Sequence, residues 1–299
     1  MTLNELRFVV ALAKIKNFKK AADASFITQP ALSLAVKKLE DELGVMLFER
    51  SRKEISLTTI GELVVQQATK VLEEAERVKE IAKHGQNQLS GQLKLGAIYS
   101  VGPYLIPELI PLLRQAAPEM PLLIEENLTA NLENQLKGGV IDLAIIALPF
   151  NIPGINTIPL YEEEFAVVVP SGHEWAKRKS IAADELNQEK VLLLSSGHCF
   201  SNQVIQSCPS LTRKGEVLQG NSLETIRNMV ASNFGITVLP MSATGSKYQN
   251  GLTKVIPFDQ PRPKRQIALA WRKSFFREQA VKIVADSIRK IEMLTDHLI

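Results

Sequence analysis

At 299 residues, with 45% hydrophobic and 22% charged side chains, the chain is long enough for more than one domain and too apolar to be disordered. No apolar run approaches a bilayer span, and the 2 cysteines are too few for a disulfide-rich scaffold and form no CxxC metal pair, which leaves thiol chemistry open. A net charge of +3 argues only weakly for nucleic acid, so such a partner requires a local basic patch. The first twenty residues, interrupted by Arg7 and Lys14 and followed by no small-residue cleavage site, do not read as a signal peptide; the expected location is the cytoplasm, with no membrane association.

Leu3, Leu6, Phe8, Val9, Val10, Leu12 and Ala13 recur with helical spacing and predict a first helix. Asn17 is placed to cap a second, short helix through Ala24, and Thr28 a third, with Pro30 in its first turn and Gly44 at its end. Along that third helix Leu32, Val36, Leu39 and Leu43 define an inner face, and Gln29, Ser33 and Lys37 an outer one. The run Glu49-Arg50-Ser51-Arg52-Lys53 before a β-like Ile55-Ser56-Leu57 reads as a basic wing. Residues 1–58 thus form an expected winged helix-turn-helix.

Thr58 or Thr59 is expected to cap a long helix to about Gln88, giving a linker over residues 59–90. In it Val64, Ala68, Val71, Ala75, Val78 and Ala82 alternate spacings of four and three, as in a coiled-coil seam; such a stripe suits a partner helix or packing on the same domain. From Gly91 strands and helices alternate: strands at 92–98, 121–125 and 140–148 and helices at 105–115 and 132–137, then strands from about 164 and at 191–194, a helix at 222–231 and a strand at 236–239. A strand at 266–271 and a helix at 278–294 return to the first set. The fold class is α/β: a two-lobed, Rossmann-like effector domain of the periplasmic-binding-protein type over residues 91–299, with lobe I at about 91–162 and 267–299 and lobe II at about 163–266.

The stretch from Asn17 to Ser33, with Gln29-Pro30-Ala31-Leu32-Ser33 at its end, continued by Leu39-Glu-Asp-Glu-Leu-Gly and Leu47-Phe-Glu-Arg, resembles the LysR-type transcriptional regulators, a likeness that extends over the whole chain. Within that family, Gly197-His198-Cys199 followed nine residues on by Cys208, and the later Ser222-Leu-Glu-Thr-Ile-Arg-Asn-Met-Val-Ala-Ser, look like the hydrogen-peroxide-sensing members. The resemblance implies a tetrameric activator of oxidative-stress genes, not an enzyme. In it peroxide oxidises Cys199, which then forms a disulfide with Cys208. It further implies double-stranded promoter DNA, RNA polymerase and a thiol reductant system as partners, a homodimer or homotetramer, and no cofactor or metal. Ser100 stands where such proteins commonly carry Thr, Ser201 where many carry Arg, and Thr129 is retained.

On the third helix, Gln29 can pair in two-pronged fashion with adenine, while Ser33 and Lys37 reach base edges or phosphates; Thr28 and Pro30 open the same helix. Alone, such an arc would also suit a solvated helix face. Arg50, Arg52 and Lys53 fit phosphate or minor-groove contact from the wing, and Leu34, where many relatives place a polar or basic residue, receives no base contact. Cys199 sits in a polar loop leading into an expected helix at about 201–207, whose N-terminus favours negative charge on sulfur. His198 is either an effector-binding donor that supports the thiolate or a structural one, and Ser100 and Thr129 are the expected peroxide contacts. His84, His173 and His297 are scattered. A small metabolite between the lobes and a thiol peroxidase with an accessory DNA-binding domain stand as competing readings.

Overall fold

The computed structural model describes residues 1–50, 55–84, 87–208, 217–248 and 251–291, and the chain divides into two compact units, Met1–Gln86 and Asn87–Ile299. Among the described residues no helix is long and apolar enough to cross a membrane.

In the first unit, helices α1 (Leu3–Ile15), α2 (Phe18–Ala24) and α3 (Gln29–Leu43) precede a hairpin of β1 (Phe48–Arg50) and β2 (Ile55–Leu57) and the long α4 (Thr59–His84). Thr2 and Glu5 close a capping box on α1, and Asn17 caps α2 by accepting from the Lys20 amide at 3.0 Å. Thr28 occupies the N-cap of α3 but makes no side-chain cap bond there; Pro30 at the second helical position removes one of the amides such a cap would engage. Leu32, Val36 and Leu39 are fully buried, as their spacing predicts, whereas Leu43, expected beside them, is exposed in the last turn before Gly44 turns left-handed at φ 69°. Buried Glu40 accepts the amides of Leu47 (2.7 Å) and Phe48 (3.2 Å), fixing the wing to the end of α3. Gly61 lets α4 start there, since a Cβ would lie 2.1 Å from the Leu47 carbonyl oxygen.

The expected seam on α4 is not one continuous stripe. Ala68 is buried in the unit's own core and Val64 packs on it, while Ala75 is half-buried and Val71 and Val78 are exposed. Arg52 and Lys53 lie outside the described residues, as do the side chains of Arg50 and Ala82 and the tail from 292 of the expected last helix.

The second unit is built on one sheet path, β4-β3-β5-β11-β6-β9-β7-β8, with β10 alongside β6. Strand β3 (Leu93–Ile98) runs parallel to β4 (Leu122–Asn127) and β5 (Leu143–Ala147), with α5 (Gly102–Ala116) and α6 (Thr129–Gly138) as crossovers. Strand β6 (Ile155–Pro170) joins the lobes: its first part pairs with β11 (Lys264–Arg272), its last with β9 (Ile236–Pro240) and β10 (Thr253–Pro257). Beyond it lie β7 (Val191–Leu194), α7 (Cys199–Ser207), β8 (Val217–Gly220) and α8 (Leu223–Ala231), and α9 (Glu278–Arg289) returns to the first lobe. Each lobe has its own apolar core, one around Leu95, Ile145 and Leu269, the other around Val167, Leu192 and Ile226. Strands β8 and β10 were not expected from sequence: they are short, and pairing with β7 and β6 rather than local apolar alternation makes them strands.

Candidate redox site and nucleic-acid interface

On α3 the outward arc predicted to read DNA is open: Thr28, Gln29, Pro30 and Lys37 are exposed and Ser33 is half-buried. Gln29 and Pro30 belong to the first turn, the part of a recognition helix that reaches base edges. The neighbouring Lys38 turns away to bind Glu5 at 2.8 Å, which holds that carboxyl down at about 2.

The redox site sits where the two lobes of the second unit meet. The end of β3 and the first turns of α6 and α7 enclose a niche of about 10 Å³ whose lining includes Ser100, Asn127, Thr129, His198 and Cys199. That is room for a water-sized molecule. Leu128 and His198 are the N-caps of α6 and α7, and neither offers a side-chain cap bond, so both helix N-termini present their amides and partial positive charge to one small space. The Thr129 hydroxyl oxygen is buried without a hydrogen-bond partner among the described residues. A buried hydroxyl is costly to leave unpaired, and a small polar ligand in the niche would satisfy it. The chain enters α7 through Gly197 at φ +99°, a left-handed turn that a side chain would strain.

His198 packs its ring on Tyr99, 5.6 Å between centroids, and burial pushes its basicity below the ordinary imidazole value. Burial thus disfavours the charged imidazole, and His198 lines the niche beside Cys199.

Beside the niche stands a cation that the sequence analysis missed. Arg265, on β11, is nearly fully buried; it donates to the Ser100 hydroxyl at 2.7 Å and carbonyl at 2.9 Å, stacks 4.9 Å over the Phe200 ring and pairs with buried Glu163 at 2.7 Å. A guanidinium thus lies against the residue that follows Cys199. Ser201 donates to the Leu194 carbonyl at 2.7 Å and ties the first turn of α7 to β7. One signal was available: Arg265 shares its parity with Ile267 and Leu269, both fully buried, so a period of two places it inward. Its partner could not be read that way, because Glu163 faces Arg265 only through the register of β6 on β11.

The two cysteines are unbonded and occupy opposite ends of α7. Cys199, in the first turn, is half-buried, lines the niche and packs against the core of the first lobe. Cys208 caps the far end, donates its amide to the Val204 carbonyl at 2.8 Å and is sealed in the core of the second lobe, where burial pushes its thiol up to about 11.

Comparison with known proteins places the whole chain. Residues 3–62 match the bacterial regulatory helix-turn-helix protein model of the lysR family, and residues 86–291 the LysR substrate binding domain model. A hydrogen peroxide-inducible genes activator from Dickeya chrysanthemi is 38% identical over 291 residues, 97% of this chain and 95% of the relative. The DNA-binding transcriptional dual regulator OxyR of Escherichia coli K12 is 37% identical over 290 residues, again 97% and 95%. Among solved structures, full-length OxyR C199D from Pseudomonas aeruginosa superposes with a TM-score of 0.77 at 48% identity, covering 99% of this chain and 97% of that one. An H2O2-bound OxyR cysteine variant from Corynebacterium glutamicum gives 0.67 at 32% identity, covering 98% and 92%. The helix-turn-helix and the two-lobed domain are therefore parts of one family architecture: the chain belongs to the LysR family of bacterial regulators, in the branch of the hydrogen peroxide-inducible genes activators.

Proposed function

We propose that this protein is a DNA-binding transcription regulator that senses hydrogen peroxide at Cys199 and records the event as a Cys199–Cys208 disulfide. The observation that carries this reading is the niche: two helix N-termini, an unpartnered Thr129 hydroxyl and the Cys199 thiol around a space sized for one small polar molecule. A space of about 10 Å³ suits a molecule of water or peroxide size. Relatives named as peroxide-inducible activators, and a similar structure holding H2O2, point the same way.

In the first step the Cys199 thiolate attacks one peroxide oxygen; the O–O bond breaks, sulfur gives up two electrons, and the departing hydroxide takes a proton to become water, leaving a sulfenic acid. Thr129, Ser100 and the amides of the niche orient the peroxide. In the second step the Cys208 sulfur displaces the hydroxyl of the sulfenic acid as water and closes the disulfide. Helix α7 opposes that step. Across nine residues, an intact helix separates its ends by roughly 13.5 Å, whereas a disulfide holds its Cα atoms about 5.5 Å apart. The helix must open and Cys208 must leave the core of the second lobe, and the rearranged segment is what the DNA-reading heads respond to. A thiol reductant returns two electrons and resets the chain, as a cytoplasmic setting provides.

DNA is read by Gln29, Ser33 and Lys37, with Thr28 and Pro30 at the helix entrance and Arg50, Arg52 and Lys53 on phosphates. Self-association as a dimer or tetramer uses α4, where Val71 and Val78 remain open; RNA polymerase is the downstream partner. In domain terms, residues 1–58 read DNA, 59–90 link and 91–299 sense. The test is a footprint on promoter DNA before and after stoichiometric peroxide. The parent protein is expected to change its footprint and Cys199→Ser to keep the reduced one; a peroxide-dependent change in Cys199→Ser would overturn the proposal.

A further inference from the structure

The reading face carries apolar groups that polar contacts to DNA do not account for. Phe26, in the turn before α3, is 95% exposed, and Leu34, one helical turn past the exposed Pro30, is 69% exposed. Phe26 is also conformationally costly. It has φ 55° and closes α2 with its amide on the Asp23 carbonyl (3.1 Å), while the Ile27 amide reaches the Ala22 carbonyl (3.0 Å). This pair of bonds is the Schellman ending, whose left-handed residue is ordinarily Gly or Asn. A β-carbon with a bulky ring is disfavoured at such a φ, and leaving the ring in water adds to the cost. The chain holds a strained, solvated aromatic two residues ahead of the first residue expected to touch DNA, and strain of this kind concentrates where a residue works.

We infer that Phe26, Pro30 and Leu34 form an apolar strip that reads thymine methyl groups in the major groove. The thymine C5-methyl is the apolar feature of that groove, and it is recognised by side-chain carbon rather than by hydrogen bonds. The strip lies beside Gln29 and Ser33, so polar readout of adenine and apolar readout of thymine would address the same base pairs from one helix. The inference rests on the proposal that α3 reads DNA.

Deoxyuridine, which pairs like thymidine but lacks the methyl, tests it directly. A duplex selected by the full-length protein from a random-sequence library is resynthesised with deoxyuridine at one thymine at a time, and affinity is measured for the parent, Phe26→Asn and Leu34→Asn. The parent should lose about fourfold per contacted methyl, the burial value of one carbon group. Each variant should bind the thymine and uracil forms of its own contact position equally while keeping the discrimination of the other. That within-variant ratio is unaffected by a general loss of affinity, and Asn suits the left-handed position, so Phe26→Asn keeps the turn. If no sequence is enriched over random DNA, the DNA-reading proposal fails and the inference with it. If a sequence is enriched but the parent is indifferent to uracil at every position, or the variants discriminate as the parent does, the apolar strip alone is overturned.

Discussion

The two ends of α7 carry the same side chain in opposed surroundings. At one end Cys199 is half-buried beside a water-sized niche and against the core of the first lobe; at the other Cys208 is 1% exposed in the core of the second, its thiol pushed up to about 11. The sequence marks Cys199 by the triplet that precedes it, but says nothing of how deeply Cys208 is buried. The fold makes one a thiol that a small oxidant can meet and the other a thiol that stays protonated until the helix between them opens.

The sharpest way to break this comparison is to remove each sulfur. Cys199→Ser should abolish the peroxide response, while Cys208→Ser should accumulate sulfenic acid, detected by a dimedone-type probe, without the locked form. Equal behaviour of the two variants would erase the distinction. Next in size is Arg265→Leu. It strips buried Glu163 of its cation, a loss of about 3–5 kcal/mol in unfolding free energy for a broken buried pair, read by urea titration; a loss below about 1 kcal/mol, the range of a surface pair, would show that this end of the site is not held as the geometry implies.

The pH dependence of stability isolates the other end. The Cys208 thiol is raised from 9.0 to about 11, so between those values the folded chain holds the proton more firmly than the unfolded chain. The resulting stabilisation, about 2–3 kcal/mol, is complete below pH 9 and disappears as pH rises through 11. Replacing Cys208 by Ala should flatten the melting temperature over that interval, and an unchanged slope would count against the sealed environment. The smallest effect on the fold is expected from Thr129→Val. Because the hydroxyl has no partner among the described residues, stability should hold or rise slightly. The rate of Cys199 oxidation should nonetheless fall about three- to tenfold, the worth of one hydrogen bond. A fall in stability with an unchanged rate would make Thr129 structural.

The first unit was legible because its signals are local. Asn17, Gly44 and the spacing of Leu32, Val36 and Leu39 state where helices begin, end and face. The sensing site was half legible. The triplet at Cys199 and the retained Thr129 mark it, but Arg265, which holds Ser100 beside the niche, comes from a strand distant in sequence, and its pairing with Glu163 exists only once β6 and β11 are in register. Leu43 and Ala68 fail for a related reason: a periodic pattern says that a residue is apolar, not which of several neighbours will cover it, and the cap and the core of the same unit decided both. Leu34 was set aside as an anomaly of composition, and only its exposure on α3 gave it a meaning.

The central claim is that oxidation couples to the opening of α7, and hydrogen exchange measures it directly. After stoichiometric peroxide, mass spectrometry should find Cys199 linked to Cys208, and amides of residues 203–208, including the Cys208 amide bonded to Val204, should lose protection relative to the reduced protein while those of α8 keep theirs. A linked pair with the amides of α7 as protected as before, or a changed DNA footprint without the linkage, would contradict the account.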